Sequence, residues 1–218
     1  MNNRKISVVI FDCDGVMFDS RQANINFYDH LLARYGLPPM TDDKVAYVHM
    51  HTADKSVRYI FEGTGFTDEA QAYRMQMDYT PFIKDMVIEP GLKRLLNHLK
   101  GRVGLAVATN RSNTIGVVLK QNGLSGFFDM VVSSLDVKHP KPHPESIHKI
   151  LAFFDLRPDQ AVYVGDSPID LETAEAAGVY FVAYGNGNLD TPLQAGSMEE
   201  VETILNGMEK VDATPDTM

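Results

Sequence analysis

The sequence predicts an α/β fold, a doubly wound parallel sheet with a small α-helical domain inserted into it, on three observations. Short Val- and Ile-rich runs without polar alternation recur along the chain, as strands buried on both faces require. Helical patterns separate most of them, which implies right-handed crossovers. One connection breaks the rhythm: from Asp12 to Thr109 is 97 positions, whereas a strand-helix-strand unit needs only about 30 residues.

The first run, "ISVVIF" (6–11), stops at Asp12-Cys13-Asp14-Gly15. About 70 surplus residues follow, with helical patterns at 20–35, 41–50, 53–62 and 67–85, breaks at "YGLPP" (35–39) and "EGTGF" (62–66), and no strand. The expected division is a core of residues 1–16 and 90–218 around a helical insertion of 17–89. "VIEPG" (87–91) leads out of it into the core helix "LKRLLNHLKG". The second strand is "VGLAVAT" (103–109), with Ser112 placed to cap the next helix. The third, "DMVVSS" (129–134), runs into the Pro-rich "DVKHPKPHPE". The fourth, "AVYVGD" (161–166), precedes Ser167-Pro168-Ile169-Asp170, which has the spacing of a capping box with Pro at the first helical position. That helix ends near Ala177-Gly178, and "VYFVAYG" (179–185) is the fifth strand. The polar tail 210–218 is expected to fray.

At 218 residues and 44% hydrophobic the chain can bury a real core. Its net charge of −9 disfavours nucleic acid and anionic membrane surfaces as partners, so an anionic substrate needs local positive charge. The lone Cys13 excludes an internal disulfide and fits a reducing compartment. The first apolar run is too short for a signal peptide, and nothing approaches the roughly 18 apolar residues of a membrane span. The expectation is a cytoplasmic monomer or homodimer.

Ligands of open α/β sheets bind at the carboxyl ends of the strands. Those ends deliver Asp12 and Asp14, then Thr109 and Asn110, then Lys138 and Lys141, then Asp166 and Asp170. Two carboxylates one residue apart repel unless a cation lies between them. Mg²⁺ takes hard oxygen ligands, and Asp12, Asp166 and the Asp14 carbonyl could supply them. Singly, each residue has a plainer account: Asp12 a loop start, Asp14-Gly15 a turn, Thr109 a strand-end hydroxyl, Lys141 a solvated loop lysine, Asp170 a capping group. Their coincidence at successive strand ends points to a phosphoryl group bound with a divalent cation.

These residues resemble the haloacid dehalogenase superfamily of phosphotransferases, in the branch of phosphoglycolate phosphatase and β-phosphoglucomutase. "DCDGV" matches its DxDG(V/T) motif, the Thr of "VATN" its second, the Lys of "KPHPE" its third, and "GDSPID" followed by "AEAAG" its GDxxxD fourth, over residues 6–185. The resemblance implies a Mg²⁺-dependent phosphatase that hydrolyses a small phosphorylated metabolite through an aspartyl-phosphate. Asp12 would be the nucleophile and Asp14 the general acid and base; Thr109, Asn110 and Lys141 would bind phosphate, with Lys141 preferred over Lys138. Asp12, Asp14, Asp166 and Asp170 would hold the metal. The insertion would be a substrate-selecting cap, with Met17 and Phe18 at its hinge and Asn24, Tyr28, His49, His51, Thr52 and Lys55 as candidates to meet substrate.

An acid at position 14 favours phosphate esters over carbon-halogen bonds. The family's sugar-phosphate mutases typically carry a His in the first cap helix, where this chain has Asn24, and an Arg in the cap loop, with no clear counterpart in 49–60. Hydrolysis is therefore expected over mutase activity. Two other classes are a phospho-acceptor signalling module, opposed by the long insertion and by Asp14, and an inactive scaffold, opposed by the completeness of the motifs.

Overall fold

Val8, Val9, Ile10 and Phe11 are all shielded from water, which is the condition of a strand at the centre of a covered sheet. In the computed structural model, which describes residues 5–210, they form β1 (Val8–Phe11). Then come β2 (Phe18–Asp19) and the inserted helices α1 (Arg21–Arg34), α2 (Asp42–Met50), α3 (Ala53–Ile60), α4 (Thr67–Gln76) and α5 (Thr80–Ile83). The chain returns through β3 (Val87–Ile88) to α6 (Leu92–Leu99), β4 (Gly104–Ala108), α7 (Ile115–Gln121), β5 (Met130–Val132) and α8 (Glu145–Phe154). It closes with β6 (Ala161–Gly165), α9 (Pro168–Ala177), β7 (Tyr180–Tyr184), β8 (Gln194–Ala195) and α10 (Met198–Lys210). The tail expected to fray lies outside the described residues except for Lys210.

The sheet runs in the order β5-β4-β1-β6-β7-β8, and every pairing in it is parallel. β1 is central: Val8 to Phe11 register with Gly104 to Val107 on one side and with Ala161 to Val164 on the other. The two side-chain sets of β1 enter different cores. Val9 and Phe11 join the leucines of α6, the apolar face of α7 and Met198, Val201 and Leu205 of α10. Val8 and Ile10 join Ile147, Ile150 and Leu151 of α8 and Ala174 and Ala177 of α9. Burying one such side chain stabilises by up to about 1.5–3 kcal/mol, so β1 is held from both faces. The chain order reverses at β1, since β4 and β5 lie to one side and β6 to the other; this is the crevice where such sheets bind ligands.

All five apolar runs became parallel strands, and the insertion is helical with one exception. Its two ends pair as an antiparallel ribbon, Phe18 opposite Ile88 and Asp19 opposite Val87. The pattern at 67–85 is two helices rather than one. Asp78 accepts the Thr80 N–H at 2.9 Å and Pro81 follows, so the chain restarts as α5 and Tyr79 stands at the break. Ser112 does not cap α7, which begins after Thr114; its hydroxyl turns to Asn113 Oδ1 at 3.1 Å. Among the described residues no helix is long and apolar enough to cross a membrane.

Candidate active site

Asp12 is positioned by the sheet itself. Its N–H donates to the Val164 carbonyl at 2.9 Å, which extends the β1–β6 ladder to the residue that leaves it. The chain then turns tightly, with the Met17 and Phe18 N–H groups donating to the Cys13 carbonyl. Gly15 sits at φ 82° in this turn, and a Cβ there would lie 2.1 Å from Asp166 Oδ2. Only glycine admits both the backbone and the close approach of Asp166 from the end of β6. Gly15→Ala is expected to destabilise by at least about 1–2 kcal/mol and to displace the Asp166 carboxylate. Urea unfolding and turnover measured side by side check this: an active variant of unchanged stability would contradict it.

Lys141 reaches Asp12 from the Pro-rich loop after β5. Its buried Nζ donates to Asp12 Oδ1 at 2.8 Å, to Tyr163 Oη at 2.8 Å and to Asp170 Oδ1 at 2.6 Å, which uses all three ammonium hydrogens. Tyr163 donates in turn to Asp170 Oδ1 at 2.6 Å. Asp170 Oδ2 accepts the Ser167 hydroxyl at 2.6 Å and the Ser167 N–H at 3.1 Å, while Ser167 Oγ accepts the Asp170 N–H. The capping box is thus real, and the same carboxylate also aims the lysine.

Crowding divides the acids into two groups. Burial penalises every ionised carboxyl here, but Lys141 and the hydroxyls of Ser167 and Tyr163 overcome that penalty at Asp170 and keep it below the usual range. Asp12 has only Lys141 to offset burial and the charges of Asp170 and Asp14, and is pushed up to about 7. Asp166 has no side-chain partner among the described residues; burial, Asp12 and Asp170 push it up to about 8. Lys141 is raised despite its burial because Asp12 and Asp170 flank it.

Asp14 has a different partner. Arg111, two residues beyond Thr109, grips it bidentately, Nε to Oδ2 at 3.1 Å and Nη2 to Oδ1 at 2.5 Å. Burial favours neutral Asp14, yet Arg111 outweighs this and holds it below the usual carboxylate range. The guanidinium also lies over the Tyr79 ring, 5.0 Å from its centroid, so a core residue rests on the insertion.

The cleft lies between these groups and the insertion. Asn24, Tyr28, His49, His51, Arg74 and Tyr79 line its far wall. Asn24 Nδ2 lies 3.4 Å from His49 Nδ1, and Asn110 Nδ2 donates to the Met50 carbonyl at 3.4 Å and to the Lys141 carbonyl at 3.2 Å. Of the sequence candidates, Asp12, Asp14, Asn24, Tyr28, His49, His51, Thr109, Asn110, Lys141 and Asp166 line this space. Phe18 is fully buried outside it, beside Met17. Thr52 caps α3 by accepting the Lys55 N–H at 3.3 Å, and Lys55 lines a separate surface groove. Lys138 is exposed and Asp170 lies beneath the floor. Sequence reasoning missed Tyr163, Arg111, Tyr79 and Arg74. A tyrosine in an otherwise aliphatic strand was the one available signal, since its hydroxyl must find a partner when buried.

Asp12, Asp166 and Asp170 each present an oxygen within 4.8 Å of the others, so the cluster could hold a metal ion. The charges agree: with all four ionised, Asp12, Asp14, Asp166 and Asp170 would face two paired cations, Lys141 and Arg111, an excess of two negative charges that Asp12 and Asp166 resist by holding protons until a cation arrives. Donor occupancy favours Asp12 and Asp166 as direct ligands, because both Asp170 oxygens are already engaged.

Comparison with known proteins agrees with this geometry. Residues 9–184 match the profile of the haloacid dehalogenase-like hydrolases. Pyrophosphatase PpaX from Bacillus anthracis is 28% identical over 94% of this chain and 99% of its own. Hexitol phosphatase A from Escherichia coli is 27% identical over 94% and 93%. A crystal structure of a haloacid dehalogenase-superfamily hydrolase of subfamily IA from Geobacter sulfurreducens superposes with a TM-score of 0.81 at 37% identity, covering 91% of this chain and 99% of that one. With its parallel sheet, its strand-end acids and a profile match over most of its length, this chain belongs to the haloacid dehalogenase-like hydrolases.

Proposed function

We propose that this hydrolase is a Mg²⁺-dependent phosphatase of a small phosphomonoester, with Asp12 as nucleophile. The observation that carries the proposal is an acid locked to the sheet beside a buried lysine, with a second acid two residues on in the same cleft. A carboxylate oxygen of Asp12 attacks phosphorus, the ester P–O bond breaks, and Asp14 delivers its proton to the departing oxygen. Water then attacks the aspartyl-phosphate, Asp14 takes the water's proton back, and phosphate leaves. The Thr109 hydroxyl and the Asn110 N–H would bind the non-bridging oxygens, and Lys141, its hydrogens engaged by Asp12, Tyr163 and Asp170, would offset their charge from beside them. Mg²⁺ bound by Asp12 and Asp166 would offset the acid excess and the charge on the phosphoryl oxygens.

Arg111 keeps Asp14 ionised in this arrangement, which suits the water step. Delivery of a proton requires the pair to part and the freed Asp14 carboxylate first to take a proton from solvent, and the Tyr79 contact lets movement of the insertion, acting as a cap, bear on it. A mutase reading has less support: Asn24 occupies the cleft where a proton-transferring His is sought, and Arg58 pairs with Asp54 at the surface.

A phosphomonoester panel with and without Mg²⁺ tests the proposal. Turnover is expected with Mg²⁺ and loss of at least about 100-fold with chelator; turnover indifferent to chelation would sink it. A cation favours ionised carboxyls, and Asp12 and Asp166 stand at about 7 and 8 without one. Mg²⁺ binding should therefore release protons, and its affinity should rise from pH 6 to pH 8. Calorimetry in buffers of different ionisation enthalpy reads this directly, and a pH-independent affinity would count against these two ligands.

A further inference from the structure

Three arginine and lysine side chains line the cleft: Lys141, Arg111 and Arg74. Lys141 is neutralised by Asp12 and Asp170, and Arg111 by Asp14. Arg74 has no such partner: Asp54 acts on it only from beyond pairing distance and is itself paired with Arg58. It comes from α4 in the insertion and is only 8% exposed. Its one side-chain hydrogen bond is from Nε to the neutral Gln71 Oε1 at 3.0 Å, and no carboxylate pairs with it among the described residues. An arginine does not shed its proton in a protein, so burying it without an opposite charge is costly unless an anion arrives. Phe27, Tyr28, Met77 and Tyr79 line the same space, and the buried Tyr79 hydroxyl also has no hydrogen-bond partner. The wall opposite the acids is therefore apolar, apart from Asn24 and the histidines, around one uncompensated fork of donors.

We infer that Arg74 receives a second anionic group on the substrate, a carboxylate or a second phosphate, so that the site selects phosphate compounds whose leaving group is itself negatively charged. The inference rests on the phosphatase reading above and narrows it. The two Arg74 terminal nitrogens, which have no partner among the described residues, suit the planar, two-oxygen face of either group. The phosphoryl group takes the core side beside Asp12, which leaves the second anion to the wall formed by the insertion. Arg74 touches the leaving group and not the reacting bond, so its contribution should appear mainly in KM.

The test uses esters of like leaving groups: 2-phosphoglycolate against 2-hydroxyethyl phosphate for the carboxylate, and ethylene glycol bisphosphate against 2-hydroxyethyl phosphate for the second phosphate. The wild-type enzyme with Mg²⁺ is expected to favour the charged member of at least one pair by tenfold or more in kcat/KM, about 1.4 kcal/mol. Which pair responds tells the two anions apart. In Arg74→Met that preference should fall at least tenfold, largely through KM, and Arg74→Lys should keep part of it. Should Arg74→Met not fold, Arg74→Lys and Arg74→Gln carry the comparison, with Gln losing more of the preference than Lys. A wild-type enzyme indifferent within both pairs, or equal losses on charged and neutral esters, overturns the subsite and leaves the phosphatase standing. No turnover of any member with Mg²⁺ overturns the phosphatase reading, and the subsite with it.

Discussion

Asp12→Asn is expected to lower turnover by roughly 10⁴- to 10⁶-fold, the scale seen when a covalent nucleophile is removed. The amide is nearly the same size, but it cannot form an acyl-phosphate under these conditions. The fold should survive, because the Asp12 main-chain bond to Val164 is unaffected and Lys141 keeps Asp170 and Tyr163. Stability should even hold or rise at pH 8. A carboxyl raised to about 7 in the folded state, above its unfolded value, opposes folding at pH values above that range, and asparagine has no such charge. Acid-quenched incubation with labelled substrate gives the second readout: label bound to wild type and absent from Asp12→Asn. Labelling of the variant would move the nucleophile elsewhere.

Lys141→Met is the next largest effect, this time on the fold. Methionine fills much of the same volume, yet it strands Asp12, Asp166 and Asp170 with no cation between them. Removing one partner of a buried ion pair typically costs about 3–5 kcal/mol. The loss should depend on pH with a defined sign. Without the lysine Asp12 and Asp166 move further above their unfolded values, and Asp170 loses the main influence that holds it below its own. Protonation then relieves the repulsion, so the loss should be smaller at pH 5 and larger at pH 8. Added Mg²⁺ should recover part of it by replacing the missing charge. Urea unfolding at the two pH values, with and without Mg²⁺, measures all of this; an equal loss at both would assign the effect to packing alone.

The strands were legible because the five longer ones are short apolar runs without polar alternation, and the motif acids because strand ends in a parallel sheet all face one rim. The β2–β3 ribbon was not, since two residues a strand carry no period. The restart at Tyr79 had a local signal in Asp78-Tyr79-Thr80-Pro81, which the surrounding helical pattern obscured. Arg111 lies beside two residues identified from the motif, but its partner Asp14 is 97 positions away, and no local pattern announces a tertiary ion pair. Asp170 shows the opposite limit. Its capping box was plain in "SPID", and the four donors that occupy its carboxylate became visible only when Lys141 and Tyr163 converged on it.

The placement of β1 sets a constraint on how the protein comes into being. The strand that ends in Asp12 is made before both of its neighbours, which begin at Gly104 and Ala161. At about 5–20 residues per second of synthesis, some 150 residues separating Phe11 from Ala161 represent roughly 8–30 s. Through that interval "VVIF" has no partner on its β6 side, while the helices between have time to form on far shorter scales. The segment carrying Asp12 is thus made well before the strands that enclose it, and the acid cluster of the cleft is complete only once β6 and the start of α9 have followed.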